Sequence, residues 1–306
     1  YFRPIYKLFI DIIPFLILGF FIGKVKPFAS EKISIYLIKY GIPISVTGLL
    51  VKAGINIDLI NSAVLAFITI TLLIVLINFI PVFKNIFPNF SLQLAGLIGN
   101  TSFLGIPIAI ALLPTDTINH TIGFDLGTTL FSWIFGPYLL QKSNNNYSLM
   151  NIKKLLIFIF SSPASRGIVG ALIIYLFSLE NLVEEFLWIP TRLVIYLAII
   201  VVGSRLGIIT NKKKKTSFQF KENIQYAIIL KLLVLPLIIY LICCLFNFQQ
   251  IETTALVLQA GTPTAISTIL LAEAYNIHRE LAAKALFTST VMSVATIPII
   301  FLFISY

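Results

Sequence analysis

Charge is what this sequence lacks. Only 11% of its 306 residues are Asp, Glu, Lys or Arg, where a soluble domain carries about a quarter because its wetted surface needs them. With 58% hydrophobic residues, the chain cannot cover itself with polar groups, which excludes a water-soluble fold. The two cysteines, Cys243 and Cys244, are adjacent in an apolar run. They fit neither a metal-binding spacing nor a disulfide framework and read as structural filler. The two histidines, His120 and His278, read as lying in connections, so a buried metal is not expected, and no motif calls for a cofactor. Low-complexity tracts and long linkers are missing too.

What the sequence has instead is long apolar runs, such as 63–82, 155–177 and 224–246. Each reaches the roughly 20 residues needed to cross a hydrocarbon core. Two or three could be core helices of a soluble protein, but about ten cannot. The first run, 8–22, contains Asp11 and Pro14 and no small-residue cleavage site, so it is expected to be a retained helix rather than a signal peptide. The pattern predicts helices at 7–22, 34–54, 60–83, 92–113, 117–140, 153–177, 182–207, 223–246, 252–273 and 281–304. Short connections join them, the most polar being 141–151.

The net charge of +10 would suggest nucleic acid in a soluble protein. In a chain this apolar, the position of the charges matters more. With the N-terminus outside, the inner connections hold 15 Lys and Arg residues and the outer ones hold three, Arg3, Lys7 and Lys52. Such a bias sets orientation, and one span missed or invented would abolish it. Ten spans with both termini outside are therefore expected, with 141–151 in the cytosol. Lys212 to Lys215 read as an inner-face anchor touching anionic lipid rather than a nucleic-acid site.

Five prolines of the second half have first-half counterparts in the same order. Pro14 pairs with Pro163, Pro43 with Pro190, Pro81 with Pro236, Pro107 with Pro263 and Pro137 with Pro298, at separations of 149, 147, 155, 156 and 161 residues. This predicts a five-helix unit duplicated about Asn144, with residues 1–143 as one repeat and 144–306 as the other. Five is odd, so the units would cross in opposite senses, an inverted repeat of the kind found in secondary transporters.

Spans 4 and 9 differ from the rest. Span 4 reads Gly99-Asn100-Thr101-Ser102-Phe103-Leu104-Gly105-Ile106-Pro107 and span 9 reads Gln259-Ala260-Gly261-Thr262-Pro263-Thr264. Proline removes a backbone donor and glycine lowers the cost of leaving helical geometry. Unwound backbone survives at membrane depth only where it is buried or lines a cavity. Ordinary kinks with close glycine packing would use the same residues. Their recurrence at matching positions in two halves favours broken helices that cross near Asn100 to Pro107 and Gly261 to Pro263. The half-helix N-termini would then face an anion.

At these residues the sequence resembles the auxin efflux carrier family of permeases. Asn100-Thr101-Ser102-Phe103-Leu104-Gly105-Ile106-Pro107 is similar to that family's Asn-Thr-x-x-x-Gly-Ile-Pro signature. Leu271 to Ala282 resembles its Ala-Glu/Lys-x-Tyr segment, and Lys231 to Pro236 is also similar. The resemblance implies an all-α membrane fold of two inverted five-helix repeats. Spans 1, 2, 6 and 7 would be a scaffold, often homodimeric, and spans 3–5 and 8–10 a moving transport unit. It implies small organic anions as substrates, Asn100 and Thr101 as contacts, and Pro107 and Pro263 at the crossing. Gly261-Thr262 before Pro263 departs from the commoner second crossing, and the long central loop of plant carriers is missing. A bacterial-type permease of the inner membrane fits better than a plant auxin carrier.

Ionisable groups inside a membrane are functional candidates because burying them is costly. Asp125 in span 5 could relay a proton or cation. Lys231 in span 8 could attract an anion, or snorkel to the interface on its long stem. Asp11 and Arg192 are expected to be structurally paired. The expected substrate site is Asn100, Thr101, Ser102, Gly105, Pro107, Gly261, Thr262, Pro263 and Thr264, with Asp125 and Lys231 as accessory groups. An anion is expected because no buried carboxylate is foreseen beside the crossing. The alternatives are a cation-coupled symporter, a cation–proton antiporter, which would be expected to pair carboxylates at mid-membrane, and a receptor that binds without turnover. An intramembrane hydrolase lacks a nucleophile and base at depth, so no enzyme is expected.

Overall fold

A computed structural model describes residues 2–143, 163–212, 223–274 and 277–305. Among the described residues the chain is helical throughout, with no strand longer than one isolated bridge. In chain order the first half gives α1 Phe2–Val25, α2 Pro27–Tyr36, α3 Ile42–Ala53, α4 Ile57–Phe79, α5 Pro81–Ile86, α6 Phe90–Leu97, α7 Ile106–Leu112 and α8 Ile118–Ser143. The second half gives α9 Pro163–Leu176, α10 Glu180–Lys212, α11 Ile224–Ile229, α12 Leu235–Leu245, α13 Gln250–Ala260, α14 Ile266–Ala274 and α15 Arg279–Ser305. Residues 153–162 of the expected span 153–177, and most of the connections at 141–151 and 208–222, lie outside the described residues.

Among the described residues, six helical stretches are long and apolar enough to cross a membrane: Leu8–Val25, Pro27–Ala53, Ile57–Phe79, Glu180–Thr210, Ile224–Leu245 and Arg279–Ser305. That is fewer than the ten expected, for identifiable reasons. The predicted spans 4 and 9 are each split into two short helices, and α8 carries His120, Asp125 and several Ser and Thr residues.

Three wide π-type turns, Leu37–Gly41, Thr101–Gly105 and Leu230–Val234, each stop just before an Ile-Pro or Leu-Pro pair. The prolines Pro43, Pro107 and Pro236 then stand in the first turn of α3, α7 and α12. Proline has no N–H to give and its ring presses on the preceding turn. Widening that turn relieves both and lets the helix run on. Pro14, Pro190 and Pro298 instead sit inside long helices. The prolines paired by sequence spacing therefore do not share one local geometry.

Two helix contacts are closed by glycine. In α1 and α10, a methyl group on Gly19, Gly23, Gly203 or Gly207 would fall 2.0, 2.0, 2.1 and 2.1 Å from a carbonyl oxygen of the other helix. Gly123 and Gly127 bring α8 equally close to α4, against Leu59 and Ala63. Small residues four apart let apolar helices associate where lipid removes the hydrophobic drive. That spacing is legible in the sequence. Large side chains on the outer faces of these helices, such as Phe21, Leu72, Phe79 and Phe186, are exposed, as lipid-facing positions would be.

Candidate functional site

The interruptions come where the composition predicted, but the first is displaced. α6 ends at Leu97, and the chain leaves helical geometry over Ile98 to Asn100. It resumes as the π turn at Thr101, so Gly105 and Pro107 lie on the resumed helix rather than in the break. The second interruption, Gly261 to Ala265, separates α13 from α14. The two broken segments meet. Asn100 N–H donates to Pro263 O at 2.7 Å and Ala265 N–H donates to Ile98 O at 3.0 Å, around an antiparallel bridge between Gly99 and Thr264. Backbone groups that lost their helical partners thus satisfy each other, as buried backbone must where water is excluded.

Side chains finish the crossing. Thr264 Oγ1 donates to Ala95 O at 2.8 Å, and Thr262 Oγ1 donates to Gln259 O at 2.7 Å. Thr264 N–H donates to Ser289 Oγ of α15 at 3.0 Å. Glycine is required at one point of closest approach, since a methyl on Gly99 would fall 2.4 Å from Thr262 Oγ1. Gly105 and Gly261 serve as contact points, the first against Gln259 and the second against Ile300.

Beside the crossing lies a cavity of about 80 Å³, lined by Asn100, Thr101, Ser102, Asp125, Thr128, Ser132, Ser267 and others, with apolar walls from Ile38, Ile42 and Leu270. Here one expectation is corrected. A buried carboxylate does stand beside the crossing, because Asp125 is fully buried and faces it from α8. Its Oδ1 accepts from Thr101 Oγ1 at 2.5 Å and Ser102 Oγ at 2.6 Å. Three buried polar atoms at this cavity have no partner among the described residues: Asp125 Oδ2, Asn100 Nδ2 and Ser132 Oγ. Unsatisfied groups of this kind are costly and rare in folded proteins. Three of them line this one cavity.

For Lys231 one of the two alternatives is excluded. Its side chain is fully buried and donates from Nζ to Ala260 O, so it does not snorkel. It lies behind Gly99 and does not line the cavity. Pro107 is placed apart from the other candidates, in a separate cavity of about 100 Å³ with Asp11, Trp188 and Arg192. No ion pair joins Asp11 to Arg192 there among the described residues. His120 is not in a connection: it is buried in the first turn of α8, with Nδ1 3.0 Å from Ser62 Oγ and Nε2 3.8 Å from Glu252 Oε1. Sequence reasoning passed over two residues. Ser132 carries no motif. Gln259, fully buried with both amide atoms unpartnered, was signalled only as a lone amide in mid-span. Among the described residues no three His, Cys, Asp or Glu side chains form a metal-binding group.

Comparison with known proteins agrees with this picture. A family model described as "Membrane transport protein" matches residues 4–301. An "Uncharacterized transporter" of Methanocaldococcus jannaschii is 23% identical over 206 residues, which is 67% of this chain and 65% of the relative. Another "Uncharacterized transporter", from Methanothermobacter thermautotrophicus, is 24% identical over 212 residues, 68% of this chain and 66% of the relative. The matched part thus spans just under two thirds of each relative's length.

Proposed function

The chain belongs to the membrane transport protein family, the auxin efflux carrier family that its Asn100–Pro107 segment resembles, and from that premise we propose a secondary carrier of small organic anions working by alternating access. The observation that carries the reading is the Asn100 amide. It is buried, lacks a partner and lines the cavity at the point where two helices break. A carboxylate accepting from Nδ2 would also feel the N-terminal end of the helical stretch Thr101–Leu112, where free N–H groups favour negative charge.

Asp125 adds a condition. Two carboxylates sharing so small a site cannot both be charged without large cost, so one must hold a proton. The carrier would therefore take up its anion together with a proton on Asp125, an acid symport. A second reading has support in one observation. Asp125 Oδ2 and Ser132 Oγ are unpartnered oxygens at one cavity, which would suit a coupling cation in a symporter or antiporter.

Melting midpoints of the purified protein, read with a panel of mono- and dicarboxylates at two pH values, find the ligand. Proteoliposome uptake then separates a carrier from a receptor. Acid symport predicts that carboxylate binding by the parent weakens as pH rises, and that Asp125→Asn binds with no such fall. Loss of a cation-specific stabilisation in Asp125→Asn, with carboxylates inert throughout, selects the second reading.

The remaining architecture follows the same proposal. Residues 1–143 and 144–306 form two inverted five-helix units, making ten crossings with both termini outside. The 15-to-3 split of Lys and Arg supports that orientation. No step in this cycle makes or breaks a substrate bond, so the protein acts as a carrier and not an enzyme. A homodimer would use the exposed apolar faces of α1, α9 and α10.

A further inference from the structure

Lys231 sits on the π turn between α11 and α12, and its side chain runs inward to the back of the crossing. Nζ donates to Ala260 O, the last residue of α13. It lies 2.8 Å from where a methyl on Gly99 would stand, and Thr262 Oγ1 lies 2.4 Å from the same point. The C-terminal end of α13, with its partial negative charge, thus meets the Lys231 side chain. No carboxylate forms an ion pair with Lys231 among the described residues.

An ammonium buried without an acid partner is expensive. Anion attraction does not account for it, because the group is shut off from the cavity by the Gly99 backbone. What its surroundings offer is carbonyl and hydroxyl oxygen at a helix C-terminal end, the chemistry by which broken helices hold a monovalent cation. We infer that Lys231 is a tethered cation, filling with its own ammonium a monovalent-cation site at the C-terminal end of α13, on Ala260 O and beside Thr262 Oγ1. The crossing is thereby held together without free Na⁺ or K⁺ on this side. The inference builds on the crossing as the centre of the carrier, but not on what the cavity beside Asp125 binds.

The test needs no substrate, so its failure is separate from that of the anion proposal. Melting midpoints of the full chain in detergent are compared in NaCl, KCl and choline chloride at equal ionic strength. With the neighbouring cavity's carboxylate removed by Asp125→Asn, the protein that retains Lys231 should melt at one temperature in all three, and the Lys231 variants are read in that same background. Lys231→Ala empties the site while leaving room for an ion. It should melt lower in choline chloride and regain roughly 2–4 °C or more in NaCl or KCl, saturating with concentration. Lys231→Met fills the space with an apolar chain and should show no cation-specific gain. An Asp125→Asn protein that keeps Lys231 and is still stabilised by Na⁺ or K⁺ over choline overturns the inference. So does a Lys231→Ala protein that ignores the cation, or one that is unfolded in every salt.

Discussion

The contact of α1 with α10 and the crossing of α6–α7 with α13–α14 both depend on glycine, but to opposite ends. Between α1 and α10 the absent side chains let backbone lie against backbone. Gly19 and Gly203 face carbonyl oxygens of Ile200 and Leu16, and each helix keeps its own hydrogen bonds. At the crossing the absent side chains admit polar groups. Gly99 makes room for Thr262 and the Lys231 ammonium, and Gly105 for the Gln259 amide. There the backbone is open, and its groups bond across to the other segment. The first contact spends close approach on stability. The second leaves Asn100 Nδ2, Asp125 Oδ2 and Ser132 Oγ without a partner among the described residues, which costs stability and, on the proposed function, gives a ligand something to hold.

If that division is right, variants of the two regions should fail in different assays. Gly203→Leu should have the largest effect. Its side chain would collide with backbone at Leu16, which cannot move aside as a core side chain can, so the cost should exceed the ~1–3 kcal/mol of ordinary overpacking. Size-exclusion chromatography in detergent should show aggregated protein, and a monodisperse variant with the parent's melting midpoint would break the comparison. Asn100→Ala comes next. It should weaken anion binding by about 10- to 150-fold, the equivalent of roughly 1.5–3 kcal/mol for a hydrogen bond to a charged group. Its melting midpoint without ligand should not fall, since Nδ2 has no partner to lose. Asn100→Asp should bind more weakly again, because it sets like charge against the anion. An Asn100→Asp protein that transports at the parent rate would place the site elsewhere. Ser132→Ala should be mildest, worth about 0.5–1.5 kcal/mol of binding at most, again with no loss of ligand-free stability. A drop in its midpoint would show the hydroxyl to be structural and would blur the line between the regions.

Much of the site was legible because breaking a helix takes particular residues. Gly99, Asn100, Gly261 and Pro263 announce an interruption in otherwise apolar spans, and Thr262 and Thr264 bring the hydroxyls that such backbone uses. The place of the first break was misjudged for a local reason. Pro107 reads as a breaker, but the preceding π turn absorbs it and the helix continues. The same turn precedes Pro43 and Pro236, so a proline after it does not by itself mark a break.

The anion argument rested on a missing carboxylate, and the carboxylate is present. Asp125 is 24 residues from Thr101 in sequence and 2.5 Å from it in space. Helical periodicity tells which residues share a face, not which neighbouring helix that face meets. Lys231 was undecided for a like reason: a four-carbon stem reaches inward as readily as outward, and only the surrounding helices choose. His120, read as lying in a connection although the predicted span 117–140 includes it, is held inside by Ser62 and Glu252 from two other helices.

The sequence by itself determined the solvent, the helical class and where two spans had to break, because these follow from composition and from residues that cannot complete a helix. It determined the orientation bias through the distribution of Lys and Arg. Tertiary structure alone decided that the two breaks bond to each other, that Asp125 faces them from one side and that Lys231 plugs them from the other. Those are contacts between helices distant in the chain, and they are set by packing, which no local pattern encodes.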